Sequence, residues 1–158
     1  MKQCPRPSRE TERLVNDGSE LVDWGHFEKS RAELGPGFIK ILGYYREDGA
    51  KSLGQIEQAM RDHNTVALVI PAHTLKGESR QFGAEGVADV AEKIETTARY
   101  CIEAGSFPEH LIPDVVELRK RYSETVRMFD ERVSPLAQRN RPQGGFGKKV
   151  ANQGFGRI

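Results

Sequence analysis

The sequence predicts an all-α protein, an antiparallel four-helix bundle with a short extra N-terminal helix and disordered ends. Three observations predict it. Apolar residues recur at intervals near three and four through most of the chain, glycine and proline cut that pattern into bundle-length segments, and no segment alternates as a strand does. At 158 residues the chain fits one domain and can enclose a sizeable core. The expected division is a flexible segment over 1–20, a four-helix-bundle domain over 21–133, and a basic, Gly-rich disordered tail over 134–158.

Residues 1–20 mix Pro5, Pro7 and Gly18 with scattered charge, with at most a turn of helix around Leu14 and Val15. Asp23 then supplies an N-cap for a short helix carrying Trp24, Phe27, Arg31 and Leu34, which Gly35-Pro36-Gly37 ends. A longer helix follows with Phe38, Leu42, Tyr45, Leu53, Ile56 and Met60 on one stripe, and Asp48-Gly49 marks a kink within it. Asp62 to Asn64 provide turn and cap chemistry before a helix from about Thr65 to Phe82, which holds Pro71 inside it and ends at Gly83. Val87, Val90, Ala91, Ile94, Ala98 and Cys101 mark the next helix, stopped by Gly105. Leu111, Val115, Leu118, Tyr122, Val126, Phe129 and Val133 mark the last. Helices joined by short loops must bury their stripes against neighbours, which gives the up-and-down bundle.

Composition narrows the function classes. No run approaches the roughly 18 apolar residues of a membrane span, and no apolar stretch follows the charged N-terminus as in a secretory signal. A cytoplasmic protein is therefore expected. Cys4 and Cys101 alone argue against a disulfide framework or a thiolate metal site, and Cys101 reads as a small core residue. The net charge of +1 hides an asymmetry, since residues 1–133 hold 19 basic and 23 acidic residues, a net of −4, and the tail holds five basic residues, a net of +5. The tail reads as a solubilising end, with nucleic-acid contact the weaker alternative.

The informative segment runs from Ala72 to Ala84. At about 100° per residue, Leu68, Ala72, Leu75, Ser79 and Phe82 fall within about 80° of one another and form a buried stripe. His73, Gly77 and Arg80 lie on the other side. Gly77 follows His73 by one turn, so no side chain stands beside the imidazole, and Lys76 and Arg80 project along its flanks. A neutral imidazole, with an ordinary pKa of about 6.5, is a competent nucleophile near neutrality. Phosphoryl transfer passes through a loose transition state with charge on its equatorial oxygens, which a nearby cation such as Lys76, and more weakly Arg80, can stabilise. Val66, Val69 and Ile70 precede His73 on nearly the same side. They read either as an apolar docking surface or as a patch covered by the N-terminal helix. His26, His63 and His110 lack such neighbours.

The segment resembles the signature of histidine phosphotransfer (HPt) domains of bacterial phosphorelays, which show a His, then Leu-Lys-Gly, Ser and Gly-Ala at the spacing of His73, Leu75-Lys76-Gly77, Ser79 and Gly83-Ala84. The resemblance extends over roughly residues 23 to 130 through Phe38 to Leu53 and Val87 to Glu95. It implies that His73 accepts a phosphoryl group from one receiver-domain aspartate and passes it to another, that Lys76 helps hold the group, and that Gly77 keeps room for the partner. It further implies receiver domains of response regulators and hybrid histidine kinases as partners, magnesium on those partners, no cofactor of its own, and a monomer. Glu78 and Arg80 stand where the family often has small residues, and Pro71 is expected to bend the helix near the site. A pure scaffold would not need His73, Lys76 and Gly77 together. No phosphate-binding loop, catalytic carboxylate pair or HExxH motif suggests an independent enzyme.

Overall fold

Capping and breaker residues set the element boundaries in the computed structural model, which describes residues 21–135. The Asp23 carboxylate accepts a hydrogen bond from the His26 N–H at 3.0 Å and starts α1 (Trp24–Leu34). Gly35–Gly37 form a single 3₁₀ turn before α2 (Phe38–Arg61). Asn64 caps α3 (Thr65–Gln81) by accepting from the Ala67 N–H at 3.1 Å. Gly83, at φ +73°, turns the chain into α4 (Glu85–Ala104), and Gly105, at φ +65°, closes that helix. A second 3₁₀ turn, Glu109–Leu111, leads into α5 (Ile112–Val133). The described residues contain no strand.

The chain divides into two compact units, one ending at Val126 and one beginning at Arg127. Within the first, α3 lies between α2 and α4. Helix α5 closes the bundle, since Arg119 pairs with Glu57 of α2 and Asp114 accepts from Lys93 of α4 at 2.6 Å. Contacts run antiparallel: Tyr45 near the start of α2 meets Ser79 near the end of α3, and Thr65 at the start of α3 meets Ser106 beyond the end of α4. In the second unit, the end of α5 carries an Arg127–Glu131 ion pair one turn apart. The expected helical turn at Leu14 and Val15 and most of the tail lie outside the described residues.

Aromatic side chains organise the core. Phe27, Phe38 and Phe82 meet edge to face at centroid separations of 5.2 and 5.8 Å, and Tyr45 joins Phe82 at 5.4 Å. This ladder fastens α1 across the ends of α2 and α3. Ser30 adds a hydrogen bond to the Gln81 carbonyl at 2.6 Å. The chain before α1 is stitched to the α3–α4 turn, with Asp23 N–H donating to Gly83 O at 2.7 Å and Gly86 N–H to Leu21 O at 3.1 Å. A Cβ at Gly83 would meet the Asp23 carbonyl at 2.5 Å, so both its backbone conformation and this contact require glycine.

One expectation is corrected, and one glycine gains a packing reason. Helix α2 runs unbroken through Asp48-Gly49, and the glycine serves packing: its missing Cβ makes room for the Tyr122 ring, whose hydroxyl donates to the Arg46 carbonyl at 2.6 Å. Cys101 is fully buried, as a small core residue should be, but it is also disulfide-bonded. A single cross-link needs only proximity in the fold, which a cysteine count does not reveal; the chain's other cysteine, Cys4, lies outside the described residues. Pro71 is buried inside α3, and the helix continues on both sides of it.

Two of the three glycines of α2 should respond oppositely to alanine. A Cβ at Gly49 would come within 2.6 Å of Tyr122, whereas nothing lies within 4 Å of one at Gly54. In urea denaturation, Gly49→Ala is expected to destabilise by about 1 kcal/mol or more, because overpacking outweighs the helix-propensity gain. Gly54→Ala is expected to stabilise by up to about 1 kcal/mol.

Candidate functional site

The α3 stripe is buried as its spacing requires: Leu68, Ala72, Leu75, Ser79 and Phe82 are all at most 1% exposed. The Tyr45 hydroxyl and Ser79 Oγ share a hydrogen bond at 3.0 Å, which fixes the rotation of α3 against α2. Burial raises the Tyr45 phenol above its ordinary range, partly offset by that bond, so it stays neutral. With this face held inward, His73, Gly77 and Arg80 face outward. The His73 side chain is 63% exposed, and nothing lies within 4 Å of where a Cβ on Gly77 would stand. Gly77 is therefore no helix-packing contact.

Opposite His73, α4 presents Glu95, a buried carboxylate with 6% exposure. Its Oε1 lies 3.0 Å from His73 Nδ1 and also accepts from Arg99 Nε and Nη2 at 3.1 and 3.0 Å. Its Oε2 lies 2.7 Å from Lys76 Nζ. Burial pushes the Glu95 carboxyl up, but hydrogen bonds from Lys76, Arg99 and His73 outweigh it and bring it down to about 2. An ionised carboxylate can only accept, so Nδ1 carries the proton and Nε2 keeps the lone pair. The arrangement can present Nε2 as a nucleophile.

The flanking cations are paired. Lys76 is only 17% exposed and bound to Glu95, while Arg80 donates to Glu92 Oε2 at 2.9 Å. Glu78 points elsewhere: burial, with some contribution from Asp48, raises its carboxyl. Val66 and Ile70 stand 65% and 76% exposed, so α1 does not cover them, and Val69 is half-buried. Ile102, seven residues after Glu95 on the same face of α4, is also exposed. His26 and His63 are exposed and His110 half-buried, all away from this cluster, and His63 stacks on Phe107 at 4.6 Å. Among the described residues, no group of three or more His, Cys, Asp or Glu side chains is placed to hold a metal ion.

The sequence matches the family model described as Hpt domain over residues 40–123, more than half of the chain. The chain belongs to the Hpt domain family. Its function is histidine phosphotransfer in two-component phosphorelays. The fold is similar to the crystal structure of histidine-containing phosphotransfer protein B from Pseudomonas aeruginosa PAO1, with a TM-score of 0.64 and 18% identity, covering 78% of this chain and 100% of that one. No curated protein matches the sequence. No helix among the described residues of this Hpt protein is long and apolar enough to cross a membrane.

Sequence reasoning missed Glu95 and Arg99 as parts of the site. The available signal was an acidic residue set directly in the apolar pattern of α4, between Ile94 and Ala98. Buried charges are kept only when paired, so such a position announces a partner on the facing helix.

Because folded Glu95 titrates below its ordinary range, its contribution to stability is complete above about 4.5 and is lost as pH falls toward about 2. In urea denaturation, wild type should lose more stability across that interval than Glu95→Gln. In nitrogen-resolved NMR spectra at mildly alkaline pH, the His73 ring should show the Nδ1–H tautomer, and Glu95→Ala should shift the population toward Nε2–H.

Proposed function

We propose that His73 is the phosphoacceptor of this Hpt protein and that Nε2 is the atom phosphorylated. The observation that carries this reading is the ionised, buried Glu95 carboxylate 3.0 Å from Nδ1, which leaves the lone pair on Nε2. The lone pair attacks phosphorus of an aspartyl phosphate, the P–O bond to the donor breaks, and its electron pair leaves on the donor carboxylate. In the second transfer an acceptor carboxylate attacks phosphorus, and the N–P electrons return to Nε2.

Lys76, about one turn after His73, neutralises charge on the phosphoryl oxygens, and Arg80, about two turns after it, contributes more weakly. Gly77 gives the partner backbone clearance, and Val66 and Ile70, with Val69 at their edge, form its apolar docking surface. The partners are receiver domains of response regulators and hybrid histidine kinases, each bringing its own magnesium and aspartate. The protein works as a cytoplasmic monomer, needs no cofactor of its own and has no ATP-dependent kinase activity.

The test is transfer of radiolabel from a phosphorylated receiver domain. Wild type should take up the label and His73→Gln should take up none, while ATP alone should label neither. The reading fails if His73→Gln is labelled or wild type never is. Gly77→Gln should keep its thermal stability and its labelling by the small donor phosphoramidate, yet transfer from a receiver should slow by roughly tenfold or more, as for a misplaced reacting pair. Ile70→Asp should raise the receiver concentration needed for half-maximal rate and leave the phosphoramidate rate unchanged.

A further inference from the structure

The Glu95 carboxylate is shared unevenly. Oε2 faces Lys76 Nζ at 2.7 Å as an ion pair. Oε1 serves three donors, His73 Nδ1 at 3.0 Å and two from Arg99 at 3.0 and 3.1 Å, all at the long end. One oxygen offers about two lone-pair directions, so three donors cannot all be well served. Arg99 therefore competes with His73 for the same oxygen. The helix does not force this competition. Arg99 stands one turn after Glu95 with its side chain 58% exposed, so solvent could hold its guanidinium just as well.

Resting on His73 as phosphoacceptor, we infer that Arg99 is a positioning residue that acts through Glu95 to lengthen the life of the phosphorylated histidine. The chemistry follows from where the N–P electrons go. When water or a carboxylate attacks phosphorus, the N–P bond breaks and its electron pair returns to Nε2. If Nδ1 keeps its proton, the departing group is a neutral imidazole. If Nδ1 has lost it, the departing group is an imidazolide, a far poorer leaving group. A carboxylate given wholly to Nδ1 would hold that proton firmly and make the phosphoryl group labile. Dividing Oε1 with Arg99 weakens the hold and slows spontaneous loss to water.

Other charges set the background. From α3, Lys76 and Arg80 face the cluster, and from α4, Glu92 stands 3.9 Å from Lys76 and 2.9 Å from Arg80. The Lys93–Asp114 pair links α4 to α5. Lys76 stands about one turn after His73 on the same helix, whereas Arg99 donates to the very oxygen that faces Nδ1. Arg99 is thus placed to act on the proton, and Lys76 on the phosphate.

The full-length protein, phosphorylated with phosphoramidate, is followed by ³¹P NMR between pH 6 and 9 for wild type, Arg99→Gln, Arg99→Lys, Glu95→Gln and the Glu95→Gln/Arg99→Gln double variant. At pH 8, Arg99→Gln should shorten the phosphohistidine half-life by roughly three- to tenfold, the worth of an ordinary hydrogen-bond difference. Its fast hydrolysis should persist to higher pH than in wild type. Arg99→Lys should restore most of the half-life. Glu95→Gln should lengthen it, and Arg99→Gln should change nothing further in that background. The proposal is overturned if Arg99→Gln leaves the half-life and its pH profile unchanged, or shortens it equally without the Glu95 carboxylate. If wild-type His73 takes no phosphoryl group from either phosphoramidate or a receiver, the phosphoacceptor reading falls and the inference with it. If wild type is labelled but its half-life ignores Arg99, only the inference falls.

Discussion

The buried carboxylate of Glu95 is the constraint on which the rest of the site depends. Taking such a charge out of water costs several kcal/mol unless partners replace the hydration. Here the partners come from two helices, His73 and Lys76 from α3 and Arg99 from α4 itself. The cluster joins α3 to α4 and, in the same contacts, sets the tautomer of the exposed imidazole. A neutral residue at this place could orient the ring, but it could not also hold Lys76 beside it by charge. Structure and reactivity are therefore not separable at this position.

The remainder of the bundle exists to present α3 at one rotation. Ser79 bonded to Tyr45 fixes its inner face against α2, and the Phe27–Phe38–Phe82 ladder fixes its end. The glycine turn at Gly83, stitched to Asp23, sets where α4 begins and hence where Glu95 falls along α3. A slip of one residue between the two helices would rotate the carboxylate by about 100° away from the imidazole. The Ser and Gly of the family signature thus carry geometry, while the chemistry belongs to their neighbours.

Much of this was legible in the sequence because it depends on local rules. The stripe from Leu68 to Phe82, the caps at Asp23 and Asn64, and the stops at Gly83 and Gly105 follow from period and backbone preference within a few residues. The openness beside Gly77 was legible for the same reason. Pairings between helices were not. Glu95 carries no local mark of its distance to His73, 22 residues earlier. The packing reason for Gly49, the ring of Tyr122, comes from a helix more than seventy residues away. Lys76 and Arg80 read as free cations because the acids that hold them sit on α4. Cys101 read as an ordinary core thiol because a cross-link depends on proximity alone.

The bare aliphatic side chains beside His73 have a consequence for timing. Val66 and Ile70 on α3 and Ile102 on α4 stand exposed as a few separate aliphatic side chains. Affinity differences between related complexes lie mostly in how fast they come apart, so on the proposed docking reading a face of a few aliphatic side chains would release each partner quickly. For a carrier that must leave its donor before it can meet its acceptor, a weak grip is the useful one. On that reading the sparseness of the surface would set the tempo of the relay, leaving the imidazole and its carboxylate to decide whether the cargo survives the journey between stops.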